Sequence, residues 1–382
     1  MHVTMVDPSR MTPTYDESLC RALGEAGVDL ELFTRAGRPS EPRLAEDGYR
    51  QRHHFYRWSE LVRSRVHTVL SQVLKIPEHA WDLLRLAREL RRHPTDVVHV
   101  QWLVVPAADW LFIRWARRRT TVVMTVHDTN PLHGVSSWSP QRLGTERCIR
   151  DVDALIVHTN YSRRQLGGRA RDGQTIAVCR HGVEPVERRD PADDGLLHIL
   201  LFGRIRPYKG VDVLLDALAE LDDDVRAAVR VRIAGSPLMD TEPLLEQSRR
   251  LGVDDVVTWD LRFLDEDEVA DAFRDTHVLA LPYRDIDASG VLYQAAGYGV
   301  GIVASAIGGF TDDLVDEQTA LLVAPEDPGA LAEAITRLHH DRNLLSTLRA
   351  GLAADGDANS WAASAQATID LYEQVTTERS NA

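Results

Sequence analysis

Short apolar runs alternate with helical patterns from one end of the chain to the other. In the first half the runs at 2–6, 30–34, 97–101, 121–126, 154–158 and 175–179 read as strands. In the second half the runs at 198–202, 229–234, 256–259, 278–282, 302–304 and 320–323 do the same. Strands that alternate with helices in this way predict an α/β architecture with parallel sheets. No low-complexity tract or short repeat interrupts the pattern. A chain of 382 residues suits two domains of ordinary size, each with its own core. The stretch 184–195 is polar, carries two prolines and lacks periodicity, which suits an interdomain linker. The expected division is a first domain at 1–186, a linker at 187–195, a second domain at 196–358 and a terminal helix at 359–382.

One junction in the second half carries distinct chemistry. The apolar run at 198–202 stops at Gly203, and Gly210 opens a segment with Val211, Leu214, Leu215 and Leu218 at helical spacing. Between them Arg204, Arg206 and Lys209 lie on a turn stiffened by Pro207. A strand, a cationic turn and a helix N-terminus form a place to hold an anion, above all a phosphate. The alternative is a solvated loop with surface arginines, and composition argues against it at one residue. Lys75 and Lys209 are the only lysines in the sequence, and arginine does the remaining cationic work. Lysine offers a compact point charge that suits a phosphate and that arginine copies poorly.

Phe-Gly-Arg-Ile-Arg-Pro-Tyr-Lys-Gly at 202–210 resembles the donor-phosphate loop of glycosyltransferase family 4, retaining enzymes of the GT-B fold. The likeness covers most of residues 1–375 and is stronger in the second half. It implies two Rossmann-like, doubly wound domains facing each other across a cleft. The first would lie on the acceptor side, the second would bind the nucleotide sugar, and the terminal helix would cross back onto the first. The implied reaction moves a sugar from a nucleotide diphosphate sugar, its base open, to a hydroxyl acceptor with retention. Arg204 and Lys209 would stabilise the leaving pyrophosphate where other enzymes use a metal. No metal site and no cofactor beyond the donor substrate is therefore expected.

Further positions follow from the resemblance. The strand at 121–126 leads into His127-Asp128, and open α/β sheets bind ligands at the C-terminal ends of their strands. The family has a histidine here that contacts the transferred sugar, so His127 is a catalytic candidate. Asp128 either orients it or binds a hydroxyl itself. Family members commonly place glycines in the first βα turn, but this chain has none before Gly24. Arg10, Thr12 and Tyr15 in that turn are acceptor-side candidates, with a merely covering loop as the alternative. His181-Gly182 reads as hinge structure.

The family also carries two glutamates separated by seven residues, the first reaching the donor sugar and the second the ribose. Aligned on the helix after 282, the second position is Gln294 and the first is Ile286, which departs from the family. Gln294 can still hydrogen-bond ribose hydroxyls without charge. Asp285 and Asp287 flank the first position, and either can supply its carboxylate, with Asp287 taken as catalytic. The Asp-Ile-Asp string also resembles a metal-binding Asp-x-Asp and is read here as sugar-binding. Ser289, Gly290 and Val291 open the helix, where free amides can face the donor. Gly203 joins this donor set, and Arg262 and Leu264, in a loop of the kind that lines the base pocket through backbone groups in relatives, are expected as neighbours of the base.

Charge is unevenly divided. Residues 1–190 hold 29 Lys and Arg against 23 Asp and Glu, a net of +6, while residues 191–382 hold 15 against 35, a net of −20. No basic motif interleaved with stacking aromatics appears, which argues against nucleic acid as a partner. Cys20, Cys148 and Cys179 are far apart and fit no disulfide framework, so a reducing cytoplasm is expected. The start shows no signal-peptide pattern, and the apolar stretch 102–115 is broken by Pro106, Asp109 and Arg114.

A helical stripe of Val62, Val66, Val69, Leu70 and Val73 is ringed by Arg57, Arg63, Arg65 and Lys75. A second helix at 79–92 carries Arg85, Arg88, Arg91 and Arg92. These read as a solvated helix pair or, more sharply, as a face at 57–92 for the inner surface of a membrane or an anionic acceptor. The acceptor is then a sugar on a lipid-linked or polysaccharide precursor, or alternatively a small antibiotic-type molecule. A sugar-nucleotide epimerase or a non-catalytic binding subunit is the reading from another class, motivated by the altered acidic motif.

Overall fold

The computed structural model describes every residue except 39–46, 64–67, 130–139, 185, 189–190, 192–193 and 382, with side chains at 61–63, 68–74 and 140–143 also left out. The chain divides into two compact units, 1–180 with 361–382, and 181–360.

The first unit is built on β1 (His2–Asp7), β2 (Asp29–Arg35), β3 (Arg50–Phe55), β4 (Val97–Val100), β5 (Thr121–Thr125), β6 (Ala154–Val157) and β7 (Thr175–Val178). Its connecting helices are α1 (Pro13–Glu25), α2 (Arg57–Arg63), α3 (Thr68–Arg92), α4 (Pro106–Arg117), α5 (Pro140–Asp151) and α6 (Asn160–Gly167). The strands form one parallel sheet in the order β3-β2-β1-β4-β5-β6-β7. Successive residues face opposite layers, as the two-residue period of a strand requires. Val97, Val123 and Ile156 pack on one side, while Val98, Val122 and Leu155 pack on the other. The terminal helix, Trp361–Ser380, returns to this unit and packs on α1, burying Trp361, Leu371 and Tyr372.

Two features of this unit differ from expectation. Strand β3, sequence RQRHHF, carries no apolar run because it is an edge strand, largely solvated apart from His54 and Phe55. Arg50 and Arg52 instead pair with Glu31 on β2, at 2.9 and 3.2 Å. The helix expected to begin at 79 is the latter part of α3, which runs through Pro77 rather than ending there. In the expected basic stripe, Arg65 and Val66 lie outside the described residues, as do the side chains of Val62, Arg63, Val69, Leu70 and Val73. No helix among the described residues is long and apolar enough to cross a membrane.

The second unit is built on β8 (Leu197–Phe202), β9 (Val229–Ala234), β10 (Val257–Asp260), β11 (Val278–Leu281), β12 (Gly301–Ser305) and β13 (Leu321–Val323). Its helices are α7 (Val211–Glu220), α8 (Asp223–Ala227), α9 (Glu242–Leu251), α10 (Glu266–Arg274), α11 (Gly290–Tyr298), α12 (Phe310–Asp313), α13 (Pro328–His340) and α14 (Arg342–Ala358). The sheet is again parallel, in the order β10-β9-β8-β11-β12-β13. The order reverses between β8 and β11, and ligands of open α/β sheets bind at such a switch point. Leu214, Leu215 and Leu218 of α7 are fully buried, each worth roughly 1.5–3 kcal/mol, so this helix is anchored by its core face whatever its first turn meets.

Candidate functional site

The loop between β8 and α7 depends on two glycines. Gly203 has φ 111° and Gly210 has φ 66°, both in the region that glycine tolerates best. A Cβ on Gly210 would stand 1.9 Å from the Pro282 carbonyl oxygen, and one on Gly203 would stand 2.9 Å from Lys209 Nζ. Pro207–Lys209 forms a single 3-10 turn between them and folds Lys209 back under Gly203. The lysine is 3% exposed; its ammonium donates to the Phe202 carbonyl at 2.8 Å and to the Tyr283 phenol oxygen at 2.5 Å. Neither partner is a carboxylate. Burial, and after it the nearby Arg204 guanidinium, lower the lysine pKa to about 7. The other lysine, Lys75, has a carboxylate, Glu60, at 3.7 Å. Arg204 and Arg206 are exposed and make no side-chain hydrogen bond or ion pair among the described residues.

The loop after β11 meets this turn because β8 and β11 are neighbours. Arg284 N donates to the Tyr208 carbonyl at 2.8 Å, and its guanidinium grips both oxygens of Asp212 in the first turn of α7, at 2.9 and 2.7 Å. The same side chain reaches Glu326 at 2.9 Å and the Pro207 carbonyl at 2.9 Å. Tyr283 is fully buried and bonds Ser289 as well as Lys209. Ser289 caps α11, its hydroxyl accepting from Leu292 N at 3.4 Å. Lys209, Tyr283 and Ser289 thus form one buried polar line. Sequence reasoning found its two ends and missed Tyr283 and Arg284, whose partners Lys209 and Asp212 lie 74 and 72 residues away.

The other expected donor residues divide. Asp285, Gly290 and Gln294 are exposed, while Asp287 and Val291 are half-buried, with Val291 Cγ2 3.3 Å from where a Gly203 Cβ would stand. Arg262 and Leu264 have side chains engaged within the protein. The Arg262 guanidinium is held by Asp260 at 2.9 Å and Glu268 at 2.7 Å. The Leu264 side chain is 6% exposed and packs in the core, as an apolar side chain between β10 and α10 should.

In the first unit, the turn after β1 replaces glycine with a carboxylate. Asp7 accepts from the backbone N–H groups of Ser9 at 3.1 Å, Arg10 at 2.9 Å and Met11 at 2.7 Å. Arg10 takes φ 53° and is 7% exposed, its guanidinium lying against Gly37. Thr12 accepts from Trp102 Nε1 at 2.9 Å. Tyr15, expected at the acceptor, is a core residue instead: it is 5% exposed, on α1, its ring 5.3 Å from that of Trp361 and 4.8 Å from that of His127. The tyrosine lies in the first turn of α1, which begins at Pro13, on the face that packs inward.

His127, beyond the end of β5, is held on several sides. Its ring stacks on Trp102, with centroids 4.8 Å apart and planes 6° from parallel. His158 Nδ1 donates to the Cys179 carbonyl at 3.0 Å, and burial lowers the His158 pKa and keeps the ring neutral. His158 Nε2 therefore accepts from His127 Nδ1 at 3.1 Å. His127 Nε2 lies 2.9 Å from Gln101 Oε1. Asp128 is half-buried beside it. His158, Gln101 and Trp102 escaped sequence reasoning, because a histidine or glutamine at a strand end reads as core.

Solved structures with this fold include a sucrose-phosphate synthase from Thermosynechococcus elongatus, with TM-score 0.74, 18% identity, and coverage of 99% of this chain and 100% of that one. Another is Anabaena HepE in complex with UDP-glucose, with TM-score 0.74, 16% identity and full coverage of both chains. The fold is that of the GT-B glycosyltransferases. Residues 14–187 match the family model described as Glycosyltransferase Family 4, and residues 197–341 match that described as Glycosyl transferases group 1. The chain belongs to the family 4 type of glycosyltransferases. Relatives include D-inositol 3-phosphate glycosyltransferases of Streptomyces bingchenggensis and Actinosynnema mirum. The first is 29% identical over 73% of this chain and 67% of its own length, the second 28% identical over 93% and 89%.

Proposed function

We propose that this glycosyltransferase is a retaining enzyme that holds its nucleotide diphosphate sugar through the Gly203–Gly210 loop and the start of α11, and transfers the sugar to an acceptor hydroxyl. Lys209 is the observation that carries this reading. A buried ammonium with no carboxylate is expensive to maintain, and a diphosphate is the partner that offsets the expense. Arg204, exposed beside it, adds a second cation that has no side-chain partner among the described residues.

As the bond from the anomeric carbon to the diphosphate breaks, negative charge grows on the leaving oxygen. Lys209 and Arg204 stabilise that charge, each by about 2.7–4 kcal/mol if water is excluded. Ser289 and Gly290 offer amides at the start of α11 to the same group. Asp287, with Asp285 as its substitute, faces the donor sugar in this reading, Gln294 the ribose, and His127 the transferred sugar. Residues 262 and 264 serve the base through backbone groups, since the Arg262 side chain is held by Asp260 and Glu268 and that of Leu264 lies in the core. HepE is known with UDP-glucose, so UDP-sugars are the first donors to try.

Incubation with a panel of nucleotide sugars tests the reading. Nucleotide release that rises with acceptor supports transfer. Interconversion of sugars without release means an epimerase, and binding without turnover means a binding subunit. NMR of the product's anomeric centre tests retention.

A second reading adds peripheral membrane contact through 57–92. It is favoured by Trp58, Ile76, Trp81 and Leu84, which are 70, 59, 52 and 53% exposed. The Arg88 guanidinium lies 5.5 Å from the Trp81 ring centre, and this mixture of indole and cation suits a lipid headgroup region. A lipid-linked acceptor would then be met at the membrane surface.

A further inference from the structure

Beside His127 the first unit has a half-open cavity of about 280 Å³ at the C-terminal ends of β4 and β5. That is just under the roughly 300–1,000 Å³ of pockets for drug-sized ligands, so it has room for one ring system. Trp102, Leu103, Val104, Met124, Val126 and Ile149 make up much of the apolar part of its wall.

Most polar groups on the wall are already engaged by the protein. Thr125 Oγ1 is bonded to His99 Nε2 at 2.7 Å, Gln101 to His127, and the Trp102 N–H to Thr12. Arg169 donates from Nε to Glu146 at 2.8 Å and from Nη1 to the Thr129 carbonyl. It is the one arginine among the described wall residues, and Glu146 balances its charge. Asp128 adds a carboxylate to the lining. A phosphate brought here would lose its water against apolar walls and meet a like charge. An apolar ring would instead gain about 25 cal/mol for each Å² removed from water.

We propose that this cavity seats an apolar ring of the acceptor, with the reacting hydroxyl turned toward His127 and Asp128. The acceptor class is thus a hydroxyl compound that carries an apolar ring, unlike the polar, phosphorylated ring of the inositol phosphate for which the relatives are named. In the reaction the acceptor oxygen bonds to the anomeric carbon, the carbon–diphosphate bond breaks, and the hydroxyl proton leaves with the nucleoside diphosphate. The inference rests on the transferase reading.

Calorimetric titration without donor tests it, using phenol, 2-naphthol and 4-methylumbelliferone as probes against inositol 3-phosphate. At least one ring probe should bind about tenfold or more tightly than inositol 3-phosphate, since neither Arg169 nor Asp128 offers the phosphate a partner. Val104→Trp, which fills the cavity, should weaken that probe by about tenfold or more, and Leu103→Arg should do the same by charge. UDP binding, measured alongside, should be unchanged in both variants and reports that they are folded. Absence of binding by UDP, GDP, ADP and TDP alike in the wild type would count against the transferase reading alone. Failure of every ring probe, ring binding indifferent to both variants, or tighter binding of inositol 3-phosphate would overturn the acceptor class.

Discussion

The ends of the parallel strands are treated in opposite ways in the two units. In the first, polar groups at the strand ends are tied to one another: Asp7 holds its own turn, and Cys179, His158, His127 and Gln101 form a chain of hydrogen bonds. In the second, Lys209 is buried without a carboxylate, and Arg204 and Arg206 have no side-chain partner among the described residues. A polar group whose partners are internal contributes to stability, whereas one left without an internal counter-charge is held for something that arrives. The contrast predicts that substitutions in the second unit's loop damage binding and turnover, while those behind His127 in the first unit's chain, at His158 above all, damage folding.

The largest effect belongs to Lys209→Met. Turnover should fall about 10²–10³-fold, as for loss of one charge-stabilising donor, while the thermal midpoint holds or rises because an unpaired buried charge is gone. Steady-state kinetics beside thermal melts would show it, and a folded variant with near-wild-type rate would erase the contrast. His158→Ala should behave in the opposite sense. It leaves the Cys179 carbonyl and His127 Nδ1 without their partner inside the protein, a loss of about 1–3 kcal/mol in urea unfolding. An unchanged urea midpoint would mean that this chain is not structural.

The acidity of Lys209 sharpens the comparison. Its pKa drops from 10.5 unfolded to about 7 folded, so between those values the unfolded chain binds more protons. The lysine's contribution to stability therefore rises with pH across that window and is least favourable below about 7. Nucleotide affinity should run the other way, falling toward about tenfold per pH unit above 7, because the diphosphate needs the charged form. Calorimetry at several pH values, with Lys209→Met as the reference, checks both signs; a flat profile would remove the lysine from the binding site.

Legibility in the sequence followed the same physical division. Strands buried on both faces announce themselves as apolar runs, and all twelve of those expected are present. The edge strand β3 was invisible because solvent and Glu31 satisfy its arginines. The loop at 203–210 was readable because its glycines, proline and rare lysine are adjacent in sequence. Tyr283 and Arg284 were not, because their roles arise only when β11 is laid beside β8. Tyr15 misled for a related reason: a tyrosine after a strand looks available, and only the return of Trp361 over α1 shows that it is core. Arg262 was taken from its position in a loop, and the hold of Asp260 and Glu268 on its guanidinium was not visible in the sequence.

The smallest expected effect concerns the basic helices. Trp58→Ser with Trp81→Ser should weaken sedimentation with anionic vesicles severalfold at low salt and leave UDP binding alone, since a Debye length of about 8 Å limits such attraction at physiological ionic strength. Equal absence of binding to anionic and neutral vesicles would remove the membrane contact and leave the first unit's role to its cavity.

Titration of UDP and of uridine into the wild type and into an Arg204→Ala, Lys209→Met double variant decides whether the loop after β8 holds the donor diphosphate. UDP should bind the wild type far more tightly than uridine does, and the double variant, with its melting temperature intact, should bind the two alike. A folded double variant that still prefers UDP by the wild-type margin would contradict the assignment of the diphosphate to this loop.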